Sequence, residues 1–204
     1  MHSIDILPNL EIYQAGPASV KFLELKIETF QEACHYVLMM PYGPNSRHED
    51  SLILFREGQG TCITKHGAIA LLAQELGLPV YKNLGFYRLD DSIVTGVSDI
   101  LLPHGLSFIP QIHCFLGYGE YRVDLTEGNC NGKNKTIENY DFTLRVQPNI
   151  SHEMERQYYC QFLTKYFSLE PALKQVGEVK ILELVNACNR QVKYQCSLMA
   201  ATGV

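Results

Sequence analysis

The segment from Thr61 to Gly77 constrains the fold most. It carries Gly67, Ala68, Ala70 and Ala73 among Ile63, Leu71, Leu72 and Leu76, with Gly77 and Pro79 as stop signals. Ile63, Gly67, Ala70 and Ala73 fall on one side of a helix, while Ala68, Leu71, Leu72 and Leu76 widen the stripe. So many small residues on a helix that is apolar nearly all round imply close neighbours on most sides. The rest of the chain therefore has to wrap this helix. Thr61 is the expected N-cap, which sets Cys62 in the first turn.

Before this helix, Val20, Leu23, Ile27, Phe30, Cys34 and Val37 are spaced as the seam of one amphipathic helix that ends before Pro41. Thr29 and Glu32 form a capping-box pattern, which makes two shorter helices the alternative. Pro41 to Asp50 reads as a loop, Ser51–Phe55 as a short apolar segment and Gly58-Gln-Gly60 as an elbow. After it, Val80–Leu89, Ile93–Leu102 and Phe108–Leu125 are rich in Val, Ile, Phe and Tyr and read as strands. Residues 126–139 form a polar loop, and Tyr140–Val146 is one more strand. Helices return at the end. Met154, Tyr158, Phe162 and Tyr166 recur every four residues, and Pro171 opens a second helix with Val176, Val179, Leu182 and Val185. No repeat or linker divides residues 1–204, so a single α+β domain is expected, with a core at about 28–146 and a helical extension at about 150–204.

Composition limits the partners. Seventeen basic residues against twenty-two acidic ones give −5 at pH 7, with no basic cluster to neutralise phosphates, so nucleic acid is not an expected partner. No apolar run approaches the ~18–20 residues of a membrane span, and no basic-then-apolar leader opens the chain. A membrane partner is therefore not expected. The seven cysteines are an odd number without a C-x-x-C pair, which fits reduced thiols in the cytoplasm and neither a zinc site nor a redox motif. No metal or other cofactor is expected. Cys130, in the polar loop, reads as the most exposed thiol, and Cys114 as core.

Three residues stand where chemistry would use them: Cys62, His113 and Asp124. A thiol in the first turn of a helix meets the positive end of the macrodipole and unsatisfied backbone N–H groups. These favour the thiolate and can stabilise an oxyanion. Gly58 and Gly60 leave room for a substrate. His113 and Asp124 flank Gly117-Tyr-Gly-Glu120, and a turn centred between Tyr118 and Gly119 sets them directly opposite on one sheet face, with Phe115 and Arg122 as the next pair. A slip of one residue would send Asp124 to the far face. His66, one turn after Cys62, ranks below His113 because no acid is evidently set to orient it. Gln59 is a candidate oxyanion donor, and Tyr87, Tyr118 and Tyr121 are candidate cleft residues. The set describes acyl transfer by a thiol nucleophile, a base and an orienting acid.

Phe55-Arg-Glu-Gly-Gln-Gly-Thr-Cys62, followed by His66-Gly-Ala-Ile-Ala-Leu-Leu-Ala-Gln-Glu-Leu-Gly-Leu-Pro-Val80, resembles the nucleophile helix of transglutaminase-like cysteine enzymes. His113-Cys-Phe115 is similar to that family's His-x-aromatic strand, and Val123-Asp-Leu-Thr126 to its Val-Asp-x-Thr strand. Thr61 stands where an acidic residue often precedes the cysteine, and Phe115 where tryptophan is usual. The resemblance covers roughly residues 28–126 and implies a papain-like fold, with the nucleophile helix packed on an antiparallel sheet; the N- and C-terminal helices are additional to it, and the tail after residue 150 is not part of the pattern. It also implies a Cys62–His113–Asp124 triad acting through a thioester on an amide, isopeptide or ester in a protein, peptide or small amide substrate; Phe115 and Tyr87 are read as candidate substrate residues. Two alternatives remain: a binding or scaffolding domain that keeps the fold, and an acyl transferase like the arylamine acetyltransferases.

Overall fold

The computed structural model describes residues 3–127 and 131–202. It is an α+β arrangement of eight α-helices and four strands among the described residues: α1 (Pro17–Glu24), α2 (Phe30–Met39), α3 (Ile53–Glu57), α4 (Cys62–Glu75), β1 (Val80–Leu89), α5 (Val97–Leu101), β2 (Ile109–Tyr118), β3 (Tyr121–Val123), β4 (Phe142–Arg145), α6 (His152–Leu169), α7 (Pro171–Val176) and α8 (Glu178–Thr202). The strands form one antiparallel sheet in the order β3-β2-β1-β4. No helix among the described residues is long and apolar enough to cross a membrane. The chain packs into two compact units, residues 1–84, 113–129 and 144–152 in the first and 85–112, 130–143 and 153–204 in the second. The stretch 28–146, expected as one core, is thus divided between both.

In the first unit α4 is the central element. Residues 63–70, Leu72 and Ala73 are all buried, and α1, α2 and α3 pack on it. Its polar side chains close the ends of its neighbours. Glu75 accepts the backbone N–H groups of Ala18 and Ser19 at 2.8 and 2.7 Å and so caps α1. Lys65 donates to the Leu38 and Met40 carbonyl oxygens at 3.1 and 2.5 Å, where α2 ends. Gly67 lets the backbone at Pro148 cross the helix, since a Cβ there would lie 2.8 Å from the Pro148 oxygen.

The single seam helix expected from residue 20 to 37 is two helices. The chain turns at Lys26, which has φ +62°, and α2 starts from the Thr29–Glu32 box, with Thr29 N–H donating to Glu32 at 2.9 Å and Glu32 N–H to Thr29 Oγ1 at 3.3 Å. Local capping there outweighs the continuous apolar period. Thr29→Ala should cost about 1 kcal/mol of stability, read by urea unfolding.

In the second unit, Ile93–Leu102 is not the expected strand. Asp91 Oδ1 accepts the Gly96 and Ser98 N–H groups at 2.9 and 3.0 Å, Gly96 turns at φ +88°, and α5 follows with Val94, Val97 and Leu101 buried. β-branched composition lost to turn chemistry and a three-four spacing. Phe162 stacks on Phe86 with ring centroids 4.0 Å apart, and Phe142 meets Tyr166 edge to face at 5.3 Å. Gly177, at φ +82°, divides the helix expected after Pro171 into α7 and α8. On α8 the buried stripe is Ile181, Leu184, Val185 and Cys188, while Val179 is 75 % exposed.

Candidate active site

All three residues of the expected triad fall in the first unit. Cys62 is the first residue of α4 and is partly exposed. Thr61 is the N-cap, but its hydroxyl, with no hydrogen-bond partner among the described residues, does not cap the helix. Thr64 does half of that work: its Oγ1 accepts Thr61 N–H at 3.1 Å and donates to Asn45 Oδ1 at 2.6 Å. Asn45 in turn donates to the Gln59 carbonyl and to Glu57, both at 2.8 Å. The loop before the helix is thereby fixed to its first turn.

The two glycines before Cys62 have structural roles. Gly58 is the left-handed cap of α3, at φ +68°. A Cβ on Gly60 would stand 2.9 Å from Thr64 Oγ1 and 3.1 Å from Lys65 Cγ, so Gly60 permits packing against α4. Gln59, the candidate oxyanion donor, gives its amide N–H to the Pro44 carbonyl at 2.8 Å and serves as a loop clamp.

His113 and Asp124 meet as expected, through a different register. The hairpin turns at Gly119 and Glu120, with Tyr118 opposite Tyr121, Gly117 opposite Arg122 and Leu116 opposite Val123. Arg122 therefore faces Gly117 rather than Phe115, and its guanidinium lies 5.4 Å from the Phe115 ring centre. The pairing is offset by an even number of residues, so His113 and Asp124 stay on one face as diagonal neighbours. His113 Nε2 and Asp124 Oδ2 are 2.6 Å apart, and the two residues are 1 % and 8 % exposed. Thr126 fixes the other carboxylate oxygen, its N–H and Oγ1 each donating to Asp124 Oδ1 at 2.8 Å. Burial pushes the Asp124 carboxyl up, but the His113 charge and hydrogen bond hold it well below the usual carboxylate range.

His66 is fully buried and belongs to this cluster. Its Nδ1 lies 2.7 Å from the Cys62 carbonyl oxygen, and Leu125 N–H donates to its Nε2 at 2.8 Å. Asp124 Oδ1 is 3.4 Å from Nε2, so an acid does stand beside this ring, contrary to the sequence reading. The His66 and His113 rings meet edge to face with centroids 6.2 Å apart. Cys62 precedes His66 by one turn on the same face of α4, so the Cys62 backbone oxygen, the His66 ring and the Asp124 carboxylate follow one another.

No family model matches this chain, and no curated protein or solved structure does. The site rests on its own geometry.

Cys160 and Cys196 are partly exposed, as Cys62 is. Cys34, Cys114 and Cys188 are buried. Burial raises the Cys34 thiol far above its ordinary value and the Cys188 thiol to about 11. Cys160 is raised by its desolvation and by Glu178. Cys130 lies outside the described residues. Of the candidate cleft residues, Phe115 is buried, and Tyr118 and Tyr121 are half-buried on the hairpin. Tyr87 belongs to the second unit, where it lines a cavity of about 510 Å³ with Arg88, Lys135 and Asp141. The sequence missed two positioning groups. Thr126 was visible only as a motif residue, and nothing in the residue types shows that the His66 ring bonds to Leu125.

Proposed function

We propose that this chain is a cysteine acyl-transfer enzyme of transglutaminase-like type with a papain-like fold. Its substrate is an amide, isopeptide or ester carbonyl in a protein, peptide or small amide. The observation that carries the reading is the buried 2.6 Å contact between His113 and Asp124, beside the helix whose first residue is Cys62. Cys62 Sγ attacks the carbonyl carbon while the N–H groups of the first turn of α4 face the developing oxyanion. With Nε2 held by Asp124, Nδ1 is the His113 nitrogen that serves the thiol. It takes the thiol proton and passes it to the leaving amine or alcohol, which departs as the thioester forms. Water then attacks the thioester, His113 takes a proton from it, and the carboxylic acid leaves as the thiol is restored. An amine in place of water would give transfer.

The test is alkylation by iodoacetamide at about pH 6.5, mapped peptide by peptide by mass spectrometry. Cys62 should be modified ahead of every other thiol, Cys160 and Cys196 included, and His113→Ala should remove that lead. Equal Cys62 rates in the two proteins would leave a non-catalytic domain as the better reading.

A further inference from the structure

The acyl-transfer reading uses Cys62, His113 and Asp124 and gives no task to His66, a fully buried imidazole with both nitrogens engaged. The Cys62 carbonyl oxygen only accepts, so the Nδ1 that lies 2.7 Å from it carries the proton. The Leu125 N–H only donates, so the Nε2 it reaches at 2.8 Å carries the lone pair. These two partners select one neutral tautomer. In that tautomer Nε2 has no proton to offer Asp124 Oδ1, 3.4 Å away, and that oxygen is held by Thr126 instead.

We propose that His66 is a positioning residue for the Cys62–His113–Asp124 site: it holds the Leu125 backbone, and with it the neighbouring Asp124 carboxylate, at a fixed offset from the Cys62 backbone, and its acceptor nitrogen leaves that carboxylate to His113. The inference rests on the acyl-transfer reading. A ring with a proton on Nε2 would lose the Leu125 bond and turn to Asp124, and two histidines would then divide one carboxylate.

Two substitutions separate the two bonds of the ring. In His66→Asn the side-chain amide reaches the place of Nδ1 and can still donate to the Cys62 oxygen, but nothing accepts Leu125 N–H. In His66→Gln the carbonyl reaches the place of Nε2 and accepts it. The readouts are iodoacetamide alkylation of Cys62 at about pH 6.5, hydrogen exchange at the Leu125 amide, and the nitrogen NMR signals of His66 in the unsubstituted protein. Alkylation of buried Cys34 and Cys188 reports loss of the fold in the same digests. We expect a protonated Nδ1 and an unprotonated Nε2. Faster Leu125 exchange in His66→Asn should come with about a tenfold slower Cys62 reaction, the factor that one lost hydrogen bond corresponds to. Both should recover in His66→Gln.

A merely structural histidine would not slow the Cys62 reaction selectively. Cys62 rates in His66→Asn equal to those of the unsubstituted protein overturn the proposal, as does a proton on Nε2, and both leave acyl transfer standing. The NMR measurement decides where a variant unfolds. An unsubstituted protein whose Cys62 reacts no faster than Cys196 overturns the acyl-transfer reading and this one together.

Discussion

Asp124→Asn should slow the alkylation of Cys62 at about pH 6.5 by about 10²-fold, although the two side chains differ by one atom type. An asparagine at 124 can keep its Oδ1 on the Thr126 N–H and hydroxyl, which hold that oxygen at 2.8 Å. Its amide nitrogen then faces His113 Nε2 across the gap now spanned at 2.6 Å. A donor there forces the imidazole to accept at Nε2 and to carry its proton on Nδ1, the nitrogen that takes the thiol proton in the proposed mechanism. A Cys62 thiolate of the proposed kind would then give way to an ordinary thiol, about 1 % ionised two pH units below a pKa of about 8.5, which sets the size of the loss. Alkylation unchanged from pH 6 to 8 would mean that Asp124 does not govern the tautomer.

The same substitution has a stability signature. The Asp124 carboxyl is held well below its ordinary value, chiefly by His113 against the cost of burial. Its stabilisation is therefore full above the unfolded value of about 3.9 and is lost as pH falls from there through the folded value. The stability difference between the unsubstituted protein and Asp124→Asn should shrink on acidification below about pH 4.

The hairpin shows why much of this site is legible in the sequence. Face membership depends only on the parity of the register, so misjudging the turn by an even offset left His113 and Asp124 together. The central helix was legible for a similar reason: a run of small and apolar residues between a cap and a glycine can hardly belong anywhere but the middle. Where the pattern failed, a specific side chain decided. Thr29 and Glu32 broke the seam, and Asp91 turned a β-branched stretch into a helix.

The polar interior of α4 was illegible. Lys65, His66 and Glu75 look like the wet side of a helix, and their use depends on which backbone ends lie opposite. Glu75 meets the open N–H groups of α1, Lys65 the open carbonyls of α2, and His66 the Leu125 N–H. Sequence separations of 57, 27 and 59 residues carry no periodic signal for any of these contacts.

Lys65 should write its burial into the alkaline limb of the stability curve. Its side chain is fully enclosed, and burial lowers the ammonium to about 8 while Asp124 pulls it back up. Between about pH 8 and the unfolded value of about 10.4 the unfolded chain binds the extra proton, so stability gains with rising pH, by ~3 kcal/mol in all at ~1.36 kcal/mol per pKa unit. Lys65→Met keeps the length and loses the titration. The unfolding free energy of the unsubstituted protein should therefore rise relative to Lys65→Met by up to ~3 kcal/mol from about pH 7.5 to 10.5 in denaturant titrations. Tyr159 and Tyr166, both raised by burial, act in the opposite direction above about pH 10 and cancel in the comparison. A difference that stays level would mean that Lys65 keeps its proton throughout, stabilised by the Leu38 and Met40 oxygens more than burial costs it. Because Asp124 supplies the opposing pull, Asp124→Asn should move the start of the rise to lower pH, which ties the anchor of α2 to the carboxylate beside His113.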